Sequence, residues 1–167
     1  MTAPNIYDFR QLTLSDIPLL TEWQSNPHVA EWWDAEDPYD ESDLRDARVS
    51  RFIVSHKDRP FAFMQDYTVH GWPDHHFFDL PQGARGIDQY VGDPEMIGRG
   101  HGTAFIRQRM AQLFSQGAPA IGTDPHPDNA RAIAVYSKLG FAPVRPAEET
   151  RWGPILPMVA WNTSAAS

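Results

Sequence analysis

The run Ile97-Gly98-Arg99-Gly100-His101-Gly102-Thr103 limits this chain more than any other feature, because it sets three alternate glycines directly before a helical apolar pattern. Glycine lets the backbone approach a ligand closely with its N–H groups turned toward it, and the helix that follows points its positive end at the same place. The residues read as a cradle for a phosphate-like anion. No Gly-Lys-Ser/Thr closes the run as in a nucleotide P-loop, and the later acidic residue of a dinucleotide βαβ unit is absent. A coenzyme carrying a pyrophosphate is what fits.

Length and composition narrow the rest. A chain of 167 residues, 41% hydrophobic and 12% aromatic, is the size of one domain with one core, so a single domain over residues 1–167 is expected. The segment Met1 to Arg10 has no basic stretch followed by an apolar run, and no segment approaches the roughly 20 apolar residues of a membrane span. We expect a cytoplasmic protein. With no cysteine, disulfides, thiolate metal sites and cysteine nucleophiles are excluded. The charge of −8, from 22 acidic against 14 basic residues, opposes nucleic acid and anionic membranes as partners and suits a cationic one. Glu31, Asp34, Glu36, Asp37, Asp40, Glu41 and Asp43 surround the pair Trp32-Trp33. This cluster reads either as a solvated face or as a seat for a cationic, ring-containing ligand.

Along the chain, Ile6 to Gln11 reads as a strand, and Ser15-Asp16 with Pro18 starts a helix that Asn26-Pro27 breaks. Short helices are expected from Pro27 to Trp32 and from Asp40 to Val49. Strands over 51–56 and 61–69, joined by Lys57-Asp58-Arg59-Pro60, form a hairpin, and His70 to Gly83 is a loop. Arg85 to Val91 is a strand leading into the cradle. A helix over about 102–116 has Phe105, Ile106, Met110, Leu113 and Phe114 on one face. Ala120 to Thr123 is a buried strand stopped by Asp124-Pro125, and Asp128 or Asn129 caps a last helix that Gly140 ends. Phe141 to Val144 and Pro157 to Trp161 supply closing strands, and Asn162 to Ser167 is a loose tail.

The order strand, Gly-x-Gly-x-Gly, helix, strand, then Asn129-x-x-Ala132-x-x-x-Tyr136-x-Lys138-x-Gly140-Phe141 resembles the GCN5-related N-acetyltransferases, over about Arg85 to Phe141. Glu31-Trp32-Trp33, Gly86-Ile87-Asp88-Gln89, Thr123-Asp124-Pro125 and Asn129 with Arg131-Ala132-Ile133 are similar to the aminoglycoside 6'-N-acetyltransferases within that family. The resemblance implies an α+β (GNAT) fold, with a mixed, mostly antiparallel sheet of about six to seven strands flanked by about four helices. It further implies that the fourth and fifth strands splay, with a bulge between Gly86 and Val91, to form a slot for the pantetheine arm of acetyl-CoA. One residue departs from the pattern: Ile97 stands where the family motif begins with Gln or Arg.

The roles implied are acetyl-CoA binding by Gly98, Arg99, Gly100, His101, Gly102 and Thr103 at the pyrophosphate, and by Asn129 at the pantetheine. Backbone N–H groups near Tyr90 and Val91 would hold the acetyl oxygen. Asp88 orients the acceptor ammonium and accepts its proton; its structural alternative is an ion pair with Arg85 or Arg107. Asp124 holds a second ammonium or makes an Asx turn before Pro125. Tyr136 contacts the coenzyme and gives a proton to its sulfur, or packs in the core. Trp32 and Trp33 complete the acceptor site. His70, His75, His76 and Asp74 have poor spacing for zinc, and no metal is expected. The partner is then a small cationic amine, an aminoglycoside, and the chain is a monomer or a dimer. The rival readings are an acyltransferase of the same fold acting on a siderophore precursor or polyamine, and a non-catalytic coenzyme A-binding module.

Overall fold

The computed structural model describes residues 5–34 and 38–163. In chain order these form β1 (Tyr7–Gln11), α1 (Ile17–Gln24), α2 (Pro27–Ala30), α3 (Glu41–Arg45), β2 (Val49–His56), β3 (Arg59–Thr68), β4 (Arg85–Val91), α4 (His101–Ser115), β5 (Ala120–Thr123), α5 (Ala130–Lys138), β6 (Ala142–Pro143), β7 (Glu148–Thr150), β8 (Gly153–Ile155) and β9 (Met158–Trp161). Seven strands make one sheet in the order β1-β2-β3-β4-β5-β9-β6, while β7 and β8 pair separately. The sheet is mixed: β1–β2, β5–β9 and β6–β9 are antiparallel, and β4–β5 is parallel. With five helices among the described residues, this is the α+β arrangement expected. Two compact units divide the chain, Met1–Gln65 with Gln89–Gln108 and Asp66–Asp88 with Arg109–Ser167.

In the first unit, Lys57 and Asp58 both take positive φ (49° and 67°), the signature of a two-residue hairpin turn whose twist matches its strands. Arg59 and Pro60, read from the sequence as turn residues, therefore already belong to β3. Helix α3 starts where Asp40 accepts from the Asp43 N–H and Asp43 accepts from the Asp40 N–H, both at 2.9 Å. It ends at Arg45 rather than Val49, because Asp46 turns to extended backbone and the chain enters β2. The core of this unit is Leu12, Leu20, Trp23, Ile53 and Phe63, with Trp33, Tyr39 and Tyr90 packed against it. Glu36 and Asp37 of the acidic cluster lie outside the described residues.

The second unit turns on Asp66, a fully buried carboxylate at the end of β3. Arg85 Nη2 donates to one oxygen at 2.6 Å and Arg109 Nε to the other at 2.8 Å, which ties β3, β4 and α4 together. The loop over 70–83 packs closely: Phe77 is fully buried and His75 nearly so. The β7–β8 hairpin was not anticipated, because its three-residue strands carry no alternating pattern. Phe141 and Val144 fall outside the two-residue β6. The tail from residue 164 onward lies outside the described residues.

Candidate active site

In the first unit, the N–H groups of Gly92 and Asp93 both donate to the Phe61 carbonyl, at 2.8 and 3.1 Å. Two residues facing one is the pattern of a β-bulge, here just past the end of β4. A 3-10 turn over Pro94–Met96 follows, buried at Met96 and capped by Asp93 accepting from the Glu95 N–H. Gly98 and Gly100 then take φ of +76° and +82°, a left-handed backbone that a side chain would strain. The Gly100 carbonyl accepts the first helical bond from Ala104 N–H at 3.1 Å. The N–H groups of His101, Gly102 and Thr103 therefore form the first turn of α4, whose intrahelical acceptors do not exist, at the positive end of a 15-residue helix. Arg99 is exposed beside them. This is the geometry of an anion cradle.

Tyr90 does not present its side chain to such a ligand. Its ring packs on Trp33 (4.9 Å between centroids) and Phe63 (5.4 Å), its hydroxyl accepts from Gln24 Nε2 at 3.2 Å, and burial raises its pKa. His28 Nε2 donates to the Val91 carbonyl at 2.8 Å. Any contribution of Tyr90 and Val91 is thus a backbone one. Trp33, expected at the acceptor, is half-buried as a wall of the core, while Trp32 next to it is exposed.

The second unit assembles the carboxylates. The parallel register pairs Arg85 with Ile121 and Gly86 with Gly122, and β5 then ends at Thr123. Asp88 follows two residues after Gly86 on β4, Asp124 is the first residue past β5, and both carboxylates act on the Tyr67 phenol. Both glycines are required there. A Cβ at Gly86 would lie 2.2 Å from the Tyr67 ring, and one at Gly122 would lie 2.6 Å from the Phe77 ring. The two absent side chains make room for the buried rings of Tyr67 and Phe77. Gly122→Ala is expected to cost about 1–3 kcal/mol through overpacking against Phe77, read as a lower urea midpoint.

Tyr67 reports that the carboxylates converge. Its phenol is buried, and burial first, then the negative charges of Asp124 and Asp88, push its pKa well above the ordinary value. It remains a neutral hydroxyl facing two acids. Arg85, the structural alternative for pairing Asp88, is instead bonded to Asp66. Asp124 accepts from His76 Nε2 at 2.9 Å, and the other nitrogen of that ring, Nδ1, is buried without a hydrogen-bond partner. His76 stacks on His75 with centroids 4.1 Å apart, and Trp152, at the tip of the β7–β8 hairpin, lies 5.8 Å from it. Burial lowers the His75 pKa to about 4, so His75 is neutral.

Tyr136 is buried on α5, edge-on to Phe141 at 5.5 Å, which is the packing alternative; its chemical role is a separate matter. Asn129 caps α5, accepting from the Ala132 N–H at 3.1 Å. Among the described residues, no group of three His, Cys, Asp or Glu is placed to hold a metal. His70 Nε2 donates to the Phe78 and Leu80 carbonyls, and His75 Nδ1 accepts from the Phe77 N–H. Sequence reasoning missed Tyr67 and the pairing of His76 with Asp124. For Tyr67 the signal was the glycine two positions before Asp88; for His76 no local pattern pointed 48 residues ahead.

Residues 13–148 match a family described as an acetyltransferase (GNAT) domain. The aminoglycoside N(6')-acetyltransferase type 1 of Klebsiella pneumoniae is 33% identical over 144 residues, covering 79% of this chain and 72% of its own length. A crystal structure of aminoglycoside acetyltransferase AAC(6')-Ib with coenzyme A superposes with a TM-score of 0.83 at 31% identity, covering 95% of this chain and 96% of that one. A structure of AAC(6')-Ib with coenzyme A and kanamycin matches with the same score, identity and coverage.

Proposed function

Because this chain belongs to the acetyltransferase (GNAT) family, we propose that it transfers an acetyl group from acetyl-CoA to a primary amine of an aminoglycoside, the 6'-amine, by direct attack in a ternary complex. The observation that carries the acceptor is that Asp88 and Asp124, each two residues beyond the paired Gly86 and Gly122, both act on the buried Tyr67 phenol. Two carboxylates near one buried ring suit a polyammonium ligand. Relatives named for aminoglycosides support the same reading. We propose further that residues 1–167 work as one acetyltransferase domain, since the family match runs through segments of both units. The reading places the enzyme in the cytoplasm with the acetyl-CoA it consumes.

The coenzyme fits what the first unit offers: two left-handed glycines and a helix start with donors to spare. When bound, acetyl-CoA supplies an acetyl group already activated as a thioester. The N–H groups from Gly98 to Thr103 hold the pyrophosphate, with Arg99 adding charge, and the backbone at Tyr90 and Val91 steadies the acetyl oxygen. Ile97 in place of a polar residue weakens this binding at most, since the donors are main-chain groups. Asn129 meets pantetheine amides with the part of its side chain that does not cap α5.

Asp88 binds the acceptor ammonium and takes up its proton, directly or through water, so that the amine lone pair is free to attack. His76, donating to Asp124 Oδ2, fixes that carboxylate so that Oδ1 points a constant way for a second ammonium. Tyr136 offers the proton of its Oη to the departing sulfur. Trp32 offers an exposed ring to the acceptor.

Purified protein with acetyl-CoA and kanamycin or tobramycin is expected to release thiol, and the absence of cysteine from the chain makes the signal report on the coenzyme alone. Silence across several aminoglycosides would remove the substrate assignment. A second reading, an acyltransferase for a siderophore precursor or a small polyamine, draws on His76 occupying one Asp124 oxygen. Asp124→Asn separates the two. For an aminoglycoside, KM is expected to rise about tenfold, the worth of one charge-assisted hydrogen bond; for the other acceptors it changes little.

A further inference from the structure

Tyr7, the first residue of β1, is fastened to α4 at two points. Its N–H donates to Gln108 Oε1 at 3.1 Å and its carbonyl accepts from Gln108 Nε2 at 2.8 Å. Two helical turns earlier, its hydroxyl lies 2.9 Å from His101 Nδ1. His101 opens α4 between Gly100 and Gly102 of the cradle, so one bond joins β1 to the turn whose N–H groups face the ligand. The Tyr7 ring is buried among Phe61 (5.8 Å), Phe105 (6.3 Å) and His56 (5.6 Å). Phenylalanine would serve that packing equally well. A buried hydroxyl costs free energy unless it is bonded, which leaves the bond to His101 as what the oxygen is for.

The groups facing His101 come from β1, β2 and the cradle itself: Tyr7, His56 with its ring 4.8 Å away, and Arg99. Burial, then the neighbouring His56 and Arg99, lower the His101 pKa, and burial raises that of Tyr7. Both are neutral near pH 7. The bond to Nδ1 then selects one ring tautomer; with the phenol as donor, the imidazole proton sits on Nε2.

We propose that Tyr7 is a positioning residue for coenzyme binding, its hydroxyl fixing His101 and thereby the aim of the His101, Gly102 and Thr103 N–H groups. The proposal rests on the coenzyme reading of the cradle. Tyr7→Phe is expected to weaken coenzyme A binding by calorimetry about fivefold, the worth of one neutral hydrogen bond. The KM for acetyl-CoA should rise in parallel, with kcat and acceptor KM unchanged. Nitrogen NMR of the His101 ring should show the single Nε2–H tautomer in the wild type and a mixture in the variant. In a His101→Leu background, Tyr7→Phe should add nothing further, a coupling that a merely destabilised fold would not produce. Intact wild-type binding of coenzyme A that Tyr7→Phe leaves unaltered overturns the role of Tyr7. Absence of coenzyme A binding by the wild type overturns the cradle reading instead.

Discussion

Asp88→Asn is expected to lower kcat/KM for acetyl transfer by about 100- to 1000-fold, within the range of a lost general base, while the melting temperature stays near the wild-type value. The amide keeps the size of the side chain and can still accept a hydrogen bond, but it cannot take a proton or balance an ammonium. Arg85, the nearest basic residue along the strand, is spent on Asp66, and the Tyr67 phenol beside Asp88 is neutral. The measurement is steady-state thiol release beside a thermal melt. A variant as active as the wild type would deny Asp88 its role, and one that melts early with proportionate loss of activity would make it structural.

Asp66→Asn is expected to act in the opposite way, on stability. The carboxylate is fully buried and accepts from two guanidiniums whose side chains are 23% and 12% exposed. Breaking a buried ion pair from one side leaves its partner uncompensated, at about 3–5 kcal/mol. Here two cations lose one anion, and their partial exposure sets the expectation near 3 kcal/mol, or about 8 °C in melting temperature for a chain of this length. Calorimetric or urea unfolding checks this. A shift below about 2 °C would mean that water already solvates both guanidiniums.

What the sequence revealed followed the reach of each signal. Arg85 to Val91 has the bounds expected, because the strand runs between a turn ending at Gly83 and the cradle. Helix α4 begins one residue earlier than expected, since the Gly100 carbonyl already accepts a helical bond. Local chemistry also sufficed for Asn129, whose cap is made three residues away. Trp33 and Arg85 were harder, because a tryptophan beside acids and an arginine three positions before Asp88 invite the same reading whichever way their side chains turn. The core drew in Trp33, and the buried Asp66 drew in Arg85. Pairings across long stretches of chain, such as His76 with Asp124 and Tyr7 with His101, leave no trace in the spacing of either partner.

The glycine pair beneath Asp88 and Asp124 also bears on how such an enzyme could diversify. A larger residue at position 86 or 122 collides with Tyr67 or Phe77, so the floor resists change. The rim is freer: Trp152 is 46% exposed at a hairpin tip, and Asp74 reaches Arg151 from the surface of the loop. Loops and turn tips tolerate substitution far better than a close-packed base. New antibiotic preferences would thus arise by redrawing the border around the two carboxylates while the packing beneath them stays as it is.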